Sequence, residues 1–170
     1  MDMINDFVTG RLGSENAEDI VAKLRSFLER AKKENIFRVF VQDSHEEGDP
    51  ELSHWGAHAM KDEKGSETIP ELQGLANKKL QKRFYDCFYK TDLEKVLKTN
   101  EIDEVILTGV ATNICVQNTA AGAFYRGLDI TVVEDCTAAP FQEDHNAALD
   151  YMESIFGAKT ISSEKITEKW

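Results

Sequence analysis

The 170-residue chain has few cysteines, few positive charges and no long apolar run, and each shortage removes a class of protein. Its three cysteines, Cys87, Cys115 and Cys136, are odd in number and widely spaced, which fits reduced thiols better than a disulfide framework. Twenty Lys and Arg stand against 31 Asp and Glu, a formal charge of -11 that repels the phosphates of nucleic acid and anionic lipid headgroups. Neither nucleic acid nor a membrane is therefore expected as a partner. No stretch approaches the ~20 apolar residues that cross a bilayer. The opening MDMINDFVTG offers neither a basic n-region nor an apolar h-region, so a cytoplasmic protein is expected. Low-complexity tracts, internal repeats and linkers rich in Gly, Ser or Pro are also missing, which leaves a single domain over residues 1–170 as the expectation.

What is present suffices for a packed core. Hydrophobic residues make up 41% and charged residues 30%, and a chain of this length buries roughly two thirds of its unfolded surface. From Asn16 to Glu34 the apolar positions Ala17, Ile20, Val21, Leu24, Phe27, Leu28 and Ala31 recur at three- and four-residue steps behind the cap residues Ser14 and Asn16, the pattern of an amphipathic helix. Strands are read at Ile36–Val41, Leu80–Lys82, Val105–Leu107, Ile130–Val133 and Lys159–Ile161. Between them lie a helix behind Thr91-Asp92-Leu93-Glu94, a capping-box pattern, a helix over Asn113–Arg126 closed by Gly127, and one over Glu143–Phe156 closed by Gly157. Ser44–Glu71 has no period and reads as one long irregular excursion, of the kind that is functional or disordered. Strands alternating with helices imply a three-layer α/β/α arrangement, with helices on both faces of a mostly parallel central sheet.

In such a sheet the reactive groups gather at the carboxyl ends of the strands. That rule nominates Asp43, Lys82 and the segment Gly109–Cys115, with Asp2 as a further possibility. Cys115 falls in the first turn of a helix, where the macrodipole and free N–H groups favour a thiolate and can stabilise an oxyanion. The alternative is a small buried hydrophobe, the reading kept for Cys87 and Cys136. Asp43-x-His45, with His58 thirteen residues beyond His45, offers a carboxylate and two imidazoles suited to a transition metal with open positions. The alternative there is a solvated acidic loop; His54 is a possible extra ligand and Glu51 a weaker one.

The segments MDMINDFV, DSH, HWGAH, KRFYDCFYKTDL and GVATNICVQNTA together resemble the isochorismatase-like cysteine hydrolases, in that family's order and over nearly the whole chain. Asp43, His45, Trp55 and His58 are similar to the pattern of its nicotinamidase branch. The resemblance implies Cys115 as nucleophile, Asp2 as its base and Lys82 as the cation of a triad, whereas Lys78 and Lys79 do not match the motif. It implies a cis Val110–Ala111 peptide, and an oxyanion hole from the backbone N–H groups of Ala111 and Cys115. Phe7 and Trp55 would flank an aromatic amide whose ring nitrogen meets one divalent metal, Zn most of all, with Fe or Mn as alternatives.

The pattern breaks at two places. Only one residue precedes Asp2 where the family has an apolar strand, so the first, central strand is expected to be truncated. The loop between His45 and His58 is short, which leaves a fourth metal ligand open. The activity implied is a metal-containing amidohydrolase that converts nicotinamide and water to nicotinate and ammonia for pyridine-nucleotide salvage, through a Cys thioester, in a homo-oligomer. Its alternatives are another small-amide hydrolase of the family, acting on carbamoyl or ureido substrates, and a non-catalytic truncated member.

Overall fold

A computed structural model describes residues 1–168 and 170. Its helices are α1 (Asn5–Val8), α2 (Glu15–Asp19), α3 (Val21–Lys33), α4 (Pro50–Trp55), α5 (Leu93–Thr99), α6 (Gln117–Phe124), α7 (Gln142–Phe156) and α8 (Ser163–Thr167). Its strands are β1 (Val39–Asp43), β2 (Lys78–Lys82), β3 (Glu104–Val110), β4 (Asp129–Ala138) and β5 (Lys159–Ile161).

All strand pairs are parallel. β1 pairs with β2 from Val39↔Lys78 to Asp43↔Lys82, and β3, β4 and β5 pair in that order. Adjacent strand residues point to opposite faces, and the core follows that alternation. Phe40, Ile106 and Val133 pack with Leu24, Phe27 and Leu28 of α3 and Ile166 of α8. Val41, Leu107 and Val132 pack instead with Leu93 and Leu97 of α5, Ala120 and Ala123 of α6, and Leu149 and Met152 of α7. Three layers result, as the sequence pattern implies.

Between β1 and β3 the two sheets are joined by the first residues. The Met1 amino group donates to Thr108 O (2.6 Å) and Val110 N donates to Met1 O (3.2 Å). Asp2 N donates to Val41 O (3.0 Å). Gly109 makes this approach possible, because it adopts φ +103° and a Cβ there would overlap the Met1 carbonyl. A cavity of about 440 Å³ runs along the same gap, lined largely by apolar side chains of β1, β3 and α3.

Several boundaries differ from the sequence pattern. The helix expected over Asn16–Glu34 is two helices meeting at Ile20, with Ser14 capping the first through Ala17 N at 3.2 Å. A bend this short leaves the three- and four-residue spacing intact, so periodicity does not register it. The capping box expected at Thr91 does not form: the N-cap of α5 is Asp92, without a side-chain capping bond, Thr91 Oγ1 accepts from Leu93 N (3.1 Å), and Glu94 turns outward to Lys98 and Arg126. β4 runs on through Glu134 and Asp135, and the Asp135 carboxylate accepts from Ser163 N (2.7 Å) and Oγ (2.8 Å) at the start of α8, a helix that a purely local reading misses. Gly127 and Gly157 take left-handed conformations after α6 and α7, as expected. No helix among the described residues is long and apolar enough to cross a membrane.

Candidate active site

The carboxyl ends of β1, β2 and β3 converge, and the side chains they deliver are buried. β1 ends at Asp43, β2 at Lys82, and β3 leads through a cis Val110–Ala111 peptide into the turn carrying Cys115. Asp2 joins them from the segment between the sheets. All four side chains are almost wholly inaccessible to solvent.

Lys82 is the hub. Its Nζ lies 2.5 Å from Asp43 Oδ1, 3.0 Å from Asp2 Oδ2 and 3.5 Å from Cys115 Sγ. The contact with Asp2 Oδ2 is an ion pair without hydrogen-bond alignment, and Asp2 Oδ1 accepts from Asp43 N at 2.8 Å. Burial pulls the Lys82 ammonium down, but Asp2 and Asp43 outweigh it and hold its pKa well above the ordinary lysine value. Lys82 is therefore a fixed cation. Lys78 and Lys79 stand elsewhere: Lys78 is exposed and Lys79 donates to Thr68 Oγ1 at 2.8 Å.

Cys115 departs from the expected setting. It sits in a π-helical turn, Thr112–Val116, that precedes α6, with Val116 N donating to Ala111 O at 3.1 Å. Such insertions widen a helix and occur disproportionately at functional sites. Burial pushes the Cys115 thiol well above the ordinary thiol range, with Lys82 opposing. The resting group is thus a thiol, and the thiolate expected from a simple helix N-terminus needs a base to form. Cys87 and Cys136 are buried free thiols pushed up to about 12 by desolvation.

A second cluster adjoins Lys82 through Asp43. Asp43, His45, Glu51 and His58 each offer a ligand atom, and these atoms lie within 4.8 Å of one another. His45 Nδ1 bonds to Asp49 Oδ2 (3.1 Å) and His58 Nδ1 to Gly56 O (2.7 Å). Each bond places the proton on Nδ1 and leaves Nε2 as the free lone pair. His45 Nε2, 3.8 Å from Asp43 Oδ2 and 3.7 Å from Glu51 Oε2, has no hydrogen-bond partner, nor has Glu51 Oε1. Burial raises Glu51 to about 7. A cluster of two carboxylates and two imidazoles in which His45 Nε2 and Glu51 Oε1 are orphaned is the environment a divalent transition ion completes. The residues fit such an ion, and Glu51 supplies the ligand left open. His54 does not join: it is exposed and packs edge-on against Trp55, ring centroids 4.8 Å apart.

Both groups open onto one cavity of about 150 Å³, lined by Phe7, Trp55, His58, Tyr85, Ile114 and Cys115 among others. Ala111 lines it too, and among the described residues none on the lining is lysine or arginine. Phe7 stacks at a tilt on His58, 5.6 Å between centroids. Trp55 is held by its indole N–H, which donates to Tyr85 Oη at 2.9 Å. Sequence reasoning missed Tyr85, Asp49 and Arg83. Tyr85 stands three residues beyond Lys82 in the same segment, which was the available signal.

The known proteins most informative here share this architecture. An N-carbamoylsarcosine amidase from Thermoplasma acidophilum is 40% identical, with a TM-score of 0.90 over 96% of this chain and 93% of its own. The nicotinamidase PncA from Bacillus subtilis is 29% identical, with a TM-score of 0.88 over 95% and 96%. A pyrazinamidase of Pyrococcus horikoshii in complex with zinc is 28% identical, with a TM-score of 0.86 over 95% and 95%. The family model described as the Isochorismatase domain matches residues 1–165. With a cysteine at the mouth of a βα crossover and this fold around it, the chain belongs to the isochorismatase family of hydrolases.

Proposed function

We propose that the protein is a metal-containing cysteine amidohydrolase whose substrate is nicotinamide. The observation that carries this reading is the cavity itself: Cys115 and three of the four metal-ligand side chains, Asp43, Glu51 and His58, line one small compartment walled by Phe7 and Trp55, with Lys82 bonded to Cys115 and Asp43 behind it. Its volume suits a single ring, being smaller than the clefts that take drug-sized ligands. Among the described residues none on its lining is lysine or arginine, which disfavours a substrate bearing its own carboxylate, since a buried charge without a partner is costly.

In this mechanism Cys115 is the nucleophile and Asp2 the base. Asp2 takes the thiol proton, the C–S bond forms at the carboxamide carbon, and the C–N bond breaks as Asp2 returns that proton to the leaving nitrogen, releasing ammonia. Water then gives a proton to Asp2, a C–O bond forms as C–S breaks, and the proton passes to sulfur as nicotinate leaves. Lys82 stabilises Asp2 as a carboxylate and the thiolate as it develops. The backbone N–H groups of Ala111 and Cys115 serve the oxyanion. Phe7 and Trp55 hold the ring and exclude water from it. Asp43, His45, Glu51 and His58 would hold the ion, Zn, Fe or Mn, which as a Lewis acid supplies an acceptor for a ring nitrogen. The product is a substrate for pyridine-nucleotide salvage, and assembly into homo-oligomers belongs to the same proposal.

A second reading has its own support in the 40% identity to an N-carbamoylsarcosine amidase, namely hydrolysis of a carbamoyl or ureido amide. Ammonia release from nicotinamide and from N-carbamoylsarcosine by the zinc-loaded protein decides between them. The first reading expects turnover with nicotinamide exceeding that with the carbamoyl compound; the reverse order supports the second, and silence with both favours another substrate or the non-catalytic alternative.

A further inference from the structure

Asp49 occupies the N-cap position of α4, yet its side chain makes no capping bond. An N-cap aspartate ordinarily accepts from the first turn of its own helix, a bond worth about 1 kcal/mol. Here both carboxylate oxygens are committed elsewhere. Oδ2 faces His45 Nδ1 at 3.1 Å and accepts from Glu46 N at 3.0 Å. Arg83 closes on the same carboxylate, its Nε 2.9 Å from Oδ1 and 3.0 Å from Oδ2, and its Nη2 also bonds to Oδ1. Arg83 Nη1 reaches Glu46 Oε2 at 2.6 Å.

The placement of Arg83 gives this arrangement its meaning. Lys82 ends β2 inside the triad, and the next residue reaches the loop that carries His45, Glu51 and His58. Two consecutive residues of one strand end thus secure the two halves of the site. A carboxylate on the far nitrogen of a ligating imidazole fixes its tautomer and ring plane and raises its basicity. The Arg83 guanidinium, bonded to both oxygens of that carboxylate, holds it against the His45 ring.

We propose that Asp49, clamped by Arg83, is a positioning residue that presents His45 Nε2 to a divalent cation and so sets the affinity of the Asp43–His45–Glu51–His58 group for it. This rests on the metal reading above. The test measures zinc affinity of the full chain by competition with a chromophoric chelator, alongside the thermal midpoint of the metal-stripped protein and nitrogen-15 shifts of the His45 ring. Asp49→Ala is expected to weaken zinc binding by about 10- to 100-fold and to populate the Nε2–H tautomer of His45. Asp49→Asn keeps the volume and an acceptor oxygen, so it folds as the parent does and shows a smaller loss of the same kind. Arg83→Gln weakens zinc several-fold, Arg83→Lys less, and the Asp49→Ala/Arg83→Gln pair binds no worse than Asp49→Ala alone, because Arg83 acts through Asp49. Zinc affinity within twofold of the parent in Asp49→Ala and Asp49→Asn overturns the proposal, whatever happens to the thermal midpoint. So does a double variant whose losses add. A parent protein that binds no zinc overturns the metal reading, and this proposal with it, and is distinguished by failing before any variant is compared.

Discussion

The two halves of the site answer burial in opposite ways. Around Lys82 the protein supplies its own cation, since one ammonium sits 2.5 Å and 3.0 Å from two carboxylates that have almost no contact with solvent. Around His45 polar atoms are left over: among the described residues Nε2 of that ring and Oε1 of Glu51 are buried without hydrogen-bond partners, and Glu51 is raised to about 7. The first half has its cation as the chain folds, although Asp2 Oδ2 meets it without a hydrogen bond, while the second gathers ligand atoms that suit a positive charge. Asp43 belongs to both, with Oδ1 on Lys82 and Oδ2 toward His45. What the protein spends in stability on the second half is what makes it a binding site.

That contrast is open to direct attack. The largest effect is expected from Cys115→Ala, which removes the proposed nucleophile from a small apolar niche. Turnover of nicotinamide should fall by roughly four orders of magnitude or more, while the circular-dichroism spectrum and zinc content stay those of the parent.

Lys82→Met should separate the halves by stability. It strands Asp2 and Asp43 without their cation, and breaking a buried pair from one side costs about 3–5 kcal/mol. Urea denaturation at neutral pH should show that loss, with partial recovery in acid as the stranded carboxylates take up protons. An unchanged midpoint would mean that Lys82 does not neutralise them.

Glu51 gives the matching test of the incomplete half. Its pKa rises on folding from 4.5 to about 7 in the metal-free protein, so the folded state holds the proton more tightly than the unfolded one. The stabilisation is fully present below 4.5 and is lost as pH rises through about 7, an amplitude of roughly 3 kcal/mol. Denaturation of the metal-stripped protein across that window should show the slope, and Glu51→Gln should flatten it.

Zinc addition is the converse. At one hundred times its dissociation constant, zinc should stabilise the folded protein by about 2.7 kcal/mol, read as a raised thermal midpoint that a chelator reverses. The gain should shrink in Glu51→Gln, which lacks the ligand carboxylate.

Much of this was legible in the residues, and the failures share a cause. Gly127 and Gly157 marked helix ends because only a left-handed residue closes them, and Lys159–Ile161 is a strand at the boundaries its β-branched residues suggested. The strand read over Ile130–Val133 stops short of Glu134 and Asp135, but β4 continues through them and Asp135 serves the start of α8, 28 residues onward and invisible to local pattern. In the site, Asp2, Asp43, His45, His58, Lys82 and Cys115 were named together from motifs, and they do meet. Glu51 ranked below His54 because nothing in an aperiodic stretch says which side of a short helix faces inward. Asp49 and Arg83 were missed because their role depends on a carboxylate turned away from its own helix, a property of the fold alone.

The most direct test of the central claim is intact-mass and peptide-mass analysis of zinc-loaded protein, acid-quenched during turnover of nicotinamide. The account expects a nicotinoyl thioester on the peptide containing Cys115, absent from Cys115→Ala and from protein without substrate. Steady release of nicotinate by Cys115→Ala would contradict it.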